Sequence, residues 1–262
     1  MQPKAAFDIT MQRVDRLLGL YHLLRNTRER RIRRDWARKF KKLMHWAQGD
    51  KIDRVDGKGA LLILRETSKF SAKEFTHDEL GEFLRAALAA SVSALDRYCH
   101  EVVLSRVMAQ LRRSESNWPR ELKKLTLPIS VTKTAVAHAR VRRGRGGGVR
   151  TRPMNIVRHA LQDQFHRYLT MQNPDDIARA FNMVGIDSLW SQCGKRLGRK
   201  PGTLIDHLRN IVARRNQIVH EGDIRRFRRG QRLVLNEIDI RRIQRDIKLI
   251  RDVVGSIDYL LD

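Results

Sequence analysis

Residues Phe75–Arg113 read FTHDELGEFLRAALAASVSALDRYCHEVVLSRVMAQLRR, and their spacing decides the class of fold. Leu80, Leu84, Leu88, Ser91, Leu95, Tyr98 and Val102 recur at intervals of three and four. That period lines them along one face of an α-helix. A stripe of this length has to be covered by partner helices. Thr76 and Glu79 have the spacing of a capping box at its start.

The same period continues on both sides. Toward the N-terminus, Val14, Leu17, Leu18, Tyr21 and Leu24 form a helical stripe. It runs into a basic segment, RNTRERRIRRDWARKFKKLMHW, on which Ile32, Trp36, Phe40, Leu43 and Met44 are the apolar positions. That segment reads either as a solvated face or as a helix that tracks phosphates, with Arg31, Arg34 and Lys41 among its cations. Asp56-Gly57 and Gly59 mark a turn, and ALLILRE after it fits a short strand or the start of a helix. Toward the C-terminus, Asn173, Pro174 and Gly185 supply an N-cap, a first helical residue and a stop. A helix starting at Thr203 carries Leu204, Leu208, Ile211, Val212 and Ile218 or Val219. A last one, capped by Asn236, carries Ile240, Ile243, Ile247, Ile250, Val254, Ile257 and Leu260. The expected fold is an all-α helical bundle. Residues 1–262 form a single domain in this reading, with an N-terminal helical extension over 1–75 and a core bundle over 76–262.

Fifty-four Lys and Arg residues against 29 acids leave a net charge of +25. A compact body with that charge attracts polyanions, and nucleic acid is the first to consider. Arg140, Arg142, Arg143, Arg145, Arg150 and Arg152 surround Gly146–Gly148. Such a segment reads as a mobile basic loop that touches RNA or DNA, or else as an inert linker. It is not a phosphate-binding P-loop, since no Gly-Lys-Ser/Thr follows. No apolar run is long enough to span a bilayer, and MQPKAAFDIT lacks the core of a signal peptide. A cytoplasmic protein is expected, with Cys99 and Cys193 as reduced core thiols. The nine histidines form no metal-type cluster, so neither a metal nor a cofactor is expected. His159 and His166 read as a solvated pair, and the four tryptophans as packing residues.

The chemistry is concentrated in RRNQIVHEGD, Arg214–Asp223. Histidine suits proton transfer near neutrality. Arginine grips phosphate oxygens with a permanent charge. RNA supplies its own nucleophile, the 2′-hydroxyl, so these two groups suffice for cleavage without a metal. On a helix, Arg215 and His220 are rotated by about 140° from one another, whereas Asn216 and His220 share a stripe. A symmetric dimer would bring two motifs together and remove that difficulty. The competing reading is an ordinary helix end, with a dipole-friendly histidine before the terminating Gly222.

The segment RNQIVHEGD, Arg215–Asp223, followed by a polar-basic stretch and a long Ile-rich helix, resembles the HEPN superfamily. LRAALAASVSALDRYCHEVV, with its Asp-x-Tyr at Asp96–Tyr98, is similar to the RiboL-PSP-HEPN branch. The resemblance implies an all-α domain and a metal-independent endoribonuclease of toxin–antitoxin or phage-defence systems. It implies a homodimer, with RNA as substrate and an antitoxin or defence-system protein as a further partner. It also implies that Arg215 and His220 are catalytic, that Asn216 shapes the site, and that Asp96 is its supporting polar residue. The alternative is a helical nucleic-acid-binding or scaffold protein with an inert motif.

Overall fold

The computed structural model describes residues 2–25, 27–57, 59–65, 67, 75, 77–143, 153–225 and 234–261. The chain is predominantly helical. In order come α1 (Pro3–Leu24), β1 (Arg28–Arg30), α2 (Arg34–Leu43), β2 (Ile52–Asp56), β3 (Leu61–Arg65) and α3 (His77–Gln110). They are followed by α4 (Arg120–Lys123), α5 (Ile129–Arg143), α6 (Pro153–Tyr168), α7 (Pro174–Met183), α8 (Leu189–Leu197), α9 (Pro201–His220) and α10 (Ile240–Leu261). The described chain divides into two compact units. The first holds Met1–Thr10, Ser91–Arg214 and Ile247–Asp262; the second holds Met11–Ala90 and Arg215–Asp246. Helices α1, α3, α9 and α10 therefore each contribute residues to both.

The helical class follows from the stripes read above. Leu80, Leu84, Leu88, Ser91, Leu95, Tyr98 and Val102 are all buried, as are Val14, Leu18 and Tyr21 of α1 and Ile243, Ile247, Ile250, Val254 and Ile257 of α10. In the first unit Tyr98 meets Phe7 edge-on at 6.0 Å between ring centres, and its hydroxyl donates to Asp258 Oδ1 at 3.0 Å. Cys99 and Cys193 are free and buried. Burial pushes the Cys193 thiol up to about 11 and the Cys99 thiol higher still, so both stay protonated and inert.

The N-terminal extension departs from the helical expectation. The basic segment is not one helix: β1 interrupts it, Arg31 lies between β1 and α2, and only Arg34–Leu43 is helical. ALLILRE is a strand, β3, in an antiparallel sheet ordered β1-β2-β3. Asp56 pairs with Leu61 and Ile52 with Arg65, around the turn at Gly57. The reason is packing chemistry. Trp36 stacks on Phe40 at 4.9 Å and Phe40 meets Trp46 at 5.5 Å. The Arg54 guanidinium of β2 lies over Trp36, and that of Arg65 in β3 over Trp46. Trp36 and Trp46 are packing residues, as read, but they pack on arginines rather than on aliphatic core. Leu43 and Met44 stay exposed.

Cap positions also shift. Asn173 caps α7 by accepting from the Asp175 amide, with Pro174 first in the helix. Helix α9 starts at Pro201 rather than Thr203. Helix α10 starts at Ile240, and its cap is Asp239, whose carboxylate accepts from the Arg241 and Arg242 amides. Asn236 has a different task, described below. The residue Thr76 of the capping box lies outside the described residues.

Candidate active site

Arg215, Asn216 and His220 occupy the last turns of α9. The helix is held by Leu204, Leu208 and Ile211, which are buried on one face. Past His220 the chain turns sharply. Gly222 has φ 62° and Asp223 φ 56°, both left-handed. The Gln217 carbonyl accepts from the Glu221 amide at 3.1 Å and from the Asp223 amide at 3.0 Å, which closes the helix end.

Asp223 turns inward and is 1% exposed. Its Oδ2 accepts from Arg85 Nε at 2.6 Å, and Arg85, on α3, is 4% exposed. Arg85 Nη2 also donates to the Asn236 carbonyl at 2.8 Å, and Nη1 to Glu82 Oε1 at 3.2 Å. Asn236 Nδ2 donates to Asp223 Oδ1 and to the Asp223 carbonyl, both at 3.1 Å. Its own amide donates to the same carbonyl at 2.8 Å. Arg225 N donates to the Val234 carbonyl at 2.8 Å, and Ile224 bridges Leu235. The turn after the motif is thus clamped by a charged, multiply bonded network inside the second unit. Gly81 makes room for it: a Cβ there would lie 2.9 Å from Arg85 Nη1 and 3.0 Å from Ile238 Cγ2.

His220 and Asn216 are exposed, and Arg215 is half-buried. Arg215 Nη1 donates to Asn216 Oδ1 at 3.0 Å. Arg215 Nε is buried and has no hydrogen-bond partner among the described residues. The structure therefore joins Arg215 to Asn216 and sets His220 at the open end of the same helix. That arrangement offers a fixed cation and an exposed imidazole at one helix terminus. Asp96 belongs to the first unit, where its Oδ1 lies 3.8 Å from His100 Nε2. Arg85, Asp223 and Asn236 were not read as site residues in the sequence. A signal existed: Arg85 lies four residues after Gly81 and three before Leu88, within a buried stretch, where a permanent charge demands an acid.

The basic residues are distributed as follows. Arg31 and Arg34 are exposed, while Lys41 Nζ is tied to the Gln48 carbonyl at 2.7 Å. Arg140, Arg142 and Arg143 are in the last turn of α5, so this part of the expected loop is helix. Arg145, Arg150 and Arg152 lie outside the described residues. His166 does not pair with His159; its ring meets His100 at 4.4 Å between centres. Among the described residues, no group of three His, Cys, Asp or Glu side chains could hold a metal ion. No helix among them is long and apolar enough to cross a membrane.

A helical domain that carries Arg-Asn-x-x-x-His at the exposed end of its penultimate long helix is the arrangement of a HEPN protein. Residues 61–262 match the RiboL-PSP-HEPN family, and the chain belongs to it. The match begins at Leu61, the first residue of β3, so β1, α2 and β2 precede it. No curated protein and no solved structure matches the chain.

Proposed function

We propose that this protein is a metal-independent endoribonuclease and that Arg215 and His220 carry the reaction. The observation behind this reading is the exposed motif end, with Arg215 bonded to Asn216 and the following turn locked by buried Arg85–Asp223, in a HEPN-family chain. A nuclease needs its imidazole open to the substrate and its backbone fixed. In the proposed step the 2′-oxygen of RNA attacks the adjacent phosphorus, forming the P–O2′ bond while the P–O5′ bond breaks. One histidine takes the 2′-hydroxyl proton and another protonates the leaving 5′-oxygen. The products are a 2′,3′-cyclic phosphate and a 5′-hydroxyl. Arg215 stabilises the charge that builds on the non-bridging oxygens, and Asn216 orients its guanidinium.

A homodimer supplies the two histidines, one from each copy. Asp96 is proposed as a supporting residue. Arg31, Arg34 and Lys41, with Arg140, Arg142, Arg143, Arg145, Arg150 and Arg152, gather the RNA. The biological setting is a cytoplasmic toxin or phage-defence effector, restrained or triggered by a partner protein. The deciding experiment compares wild type with His220→Ala on total RNA in excess chelator, with mapping of the cut ends. Wild type should cut and leave cyclic phosphate, and the variant should not. Equal cleavage by both proteins would take His220 out of the reaction, and cleavage by neither would leave a protein that binds nucleic acid through its basic surface, with the motif as a plain helix end.

A further inference from the structure

The first unit contains a cavity of about 360 Å³ between α3 and α6, whose lining does not include Arg215, Asn216 or His220. Asp96, Arg97, His100 and Glu101 line one wall, and Gln162 and His166 line the other. The volume lies in the lower range of small-molecule sites, which run from about 300 to 1,000 Å³.

His100 is the informative residue. It is 8% exposed as a residue, and its imidazole lines the open space of the cavity. Its described neighbours are Asp96 Oδ1 at 3.8 Å, too far for a hydrogen bond, and the tilted ring of His166 at 4.4 Å. Burial, and after it the charge of His166, lowers its pKa to about 4. At neutral pH the ring is therefore uncharged, with one donor and one acceptor. A neutral imidazole at the wall of a cavity offers a ligand one donor, one acceptor and a ring face.

The lining restricts what that ligand can be. Two carboxylates, Asp96 and Glu101, face one guanidinium, Arg97, which is already bonded to Glu101 at 2.7 Å. An anion would meet net negative charge, so a phosphate group does not belong in the cavity. A metal ion lacks a third ligand, as the absence of a metal-holding group among the described residues shows. What remains is a planar, uncharged heterocycle that stacks on imidazole and presents N–H donors to carboxylates. Unstacked RNA bases have this character, and histidine is one of the side chains on which they stack.

We propose that the α3–α6 cavity is a pocket for one splayed-out RNA base with a donor-rich edge, guanine above the others. This rests on the reading that RNA is the substrate, and it names a feature of that substrate. The His100–His166 pair supplies the stacking surface. Asp96 and Glu101 accept from the imino and amino groups, and Gln162 matches the remaining edge. Uracil fits worst, because its single imino donor lies between two carbonyl oxygens that would face the carboxylates.

The test uses the full chain with its histidines labelled with carbon-13, titrated with guanosine, adenosine, cytidine and uridine and separately with Zn²⁺. Guanosine should shift the His100 and His166 ring signals saturably and leave those of the other histidines in place. Uridine should do so at least tenfold more weakly. Gln162→Ala and His166→Ala, both at exposed positions, should each weaken guanosine binding about tenfold. No saturable shift with any nucleoside, uridine binding as tightly as guanosine, or a response to Zn²⁺ alone would overturn the proposal. Nucleoside binding is read without cleavage, so the two readings fail separately. An empty pocket beside His220-dependent cleavage removes only the pocket. A His220→Ala variant that cuts like wild type removes only the catalytic role of His220 and leaves the guanosine shift.

Discussion

Arg85 and Asp223 are 138 positions apart in sequence and form a buried ion pair at 2.6 Å, one on the long α3 helix and the other in the turn just after His220. Removing one partner of such a pair strands the other charge in the interior. Arg85→Ala and Asp223→Ala should each destabilise the fold by about 3–5 kcal/mol, read by urea denaturation. Arg85→Met combined with Asp223→Asn should recover most of that loss, because no charge is then left unpaired and asparagine tolerates the left-handed backbone. Gly81→Ala should also destabilise, since the Arg85 guanidinium occupies the space of the new methyl group. If Arg85→Ala melts like wild type, the clamp on the motif turn does not exist.

His220 should behave in the opposite way. It is exposed at a helix end. His220→Ala should stay within about 0.5 kcal/mol of wild type in the same denaturation series. Cleavage should be lost all the same. A variant that unfolds early but cuts RNA while folded would make His220 a structural residue.

Arg215→Ala and a variant neutralised at the exposed Arg31, Arg34 and Arg38, the last two on α2, separate chemistry from binding. The first should keep RNA affinity and lose single-turnover cleavage, because its charge matters where charge develops. The second should lose affinity, with a salt slope lower by about 0.7 for each single-strand phosphate contact removed. Filter binding over a salt series, beside cleavage of saturating RNA, reads both. An unchanged slope in the second variant would make the α2 region a solvated surface only.

His100 sets a pH dependence of stability. Its folded pKa of about 4 lies below the ordinary histidine value, with burial as the first cause and the charge of His166 as the second. Between these two values the unfolded chain binds the proton and the folded chain does not, so stability falls as pH drops from about 6.5 to 4. Asp96 and Glu101 on α3 and His166 on α6 are the titrating groups that line the cavity with it, beside the permanent charge of Arg97. His100→Gln should flatten that part of the stability profile. An equally steep profile in the variant would assign the pH dependence to other groups.

Much of this was legible in the chain itself. Apolar spacing of three and four residues specifies a helix and its buried face without any knowledge of neighbours, so α1, α3, α9 and α10 could be read directly. The α7 cap was equally local: Asn173 and Pro174 act within one turn. The Arg-Asn-x-x-x-His stretch was legible for the same reason, because its residues and its helix-ending glycine are contiguous.

The rest depends on distant partners. ALLILRE became a strand because Ile52–Asp56 pairs with it, and a five-residue apolar run does not reveal whether a pairing partner exists. Asn236 had the chemistry of a cap but is used across the motif turn, while Asp239 takes the cap. Whether Arg85 is a solvated cation or a buried clamp depended on where Asp223 came to rest. His100 and His166, 66 positions apart, meet only because α3 and α6 bring their faces together. Local periodicity determined the helices and the motif; tertiary contacts decided which polar side chains became buried partners, because desolvating a charge or an imidazole is tolerable only beside the group that answers it.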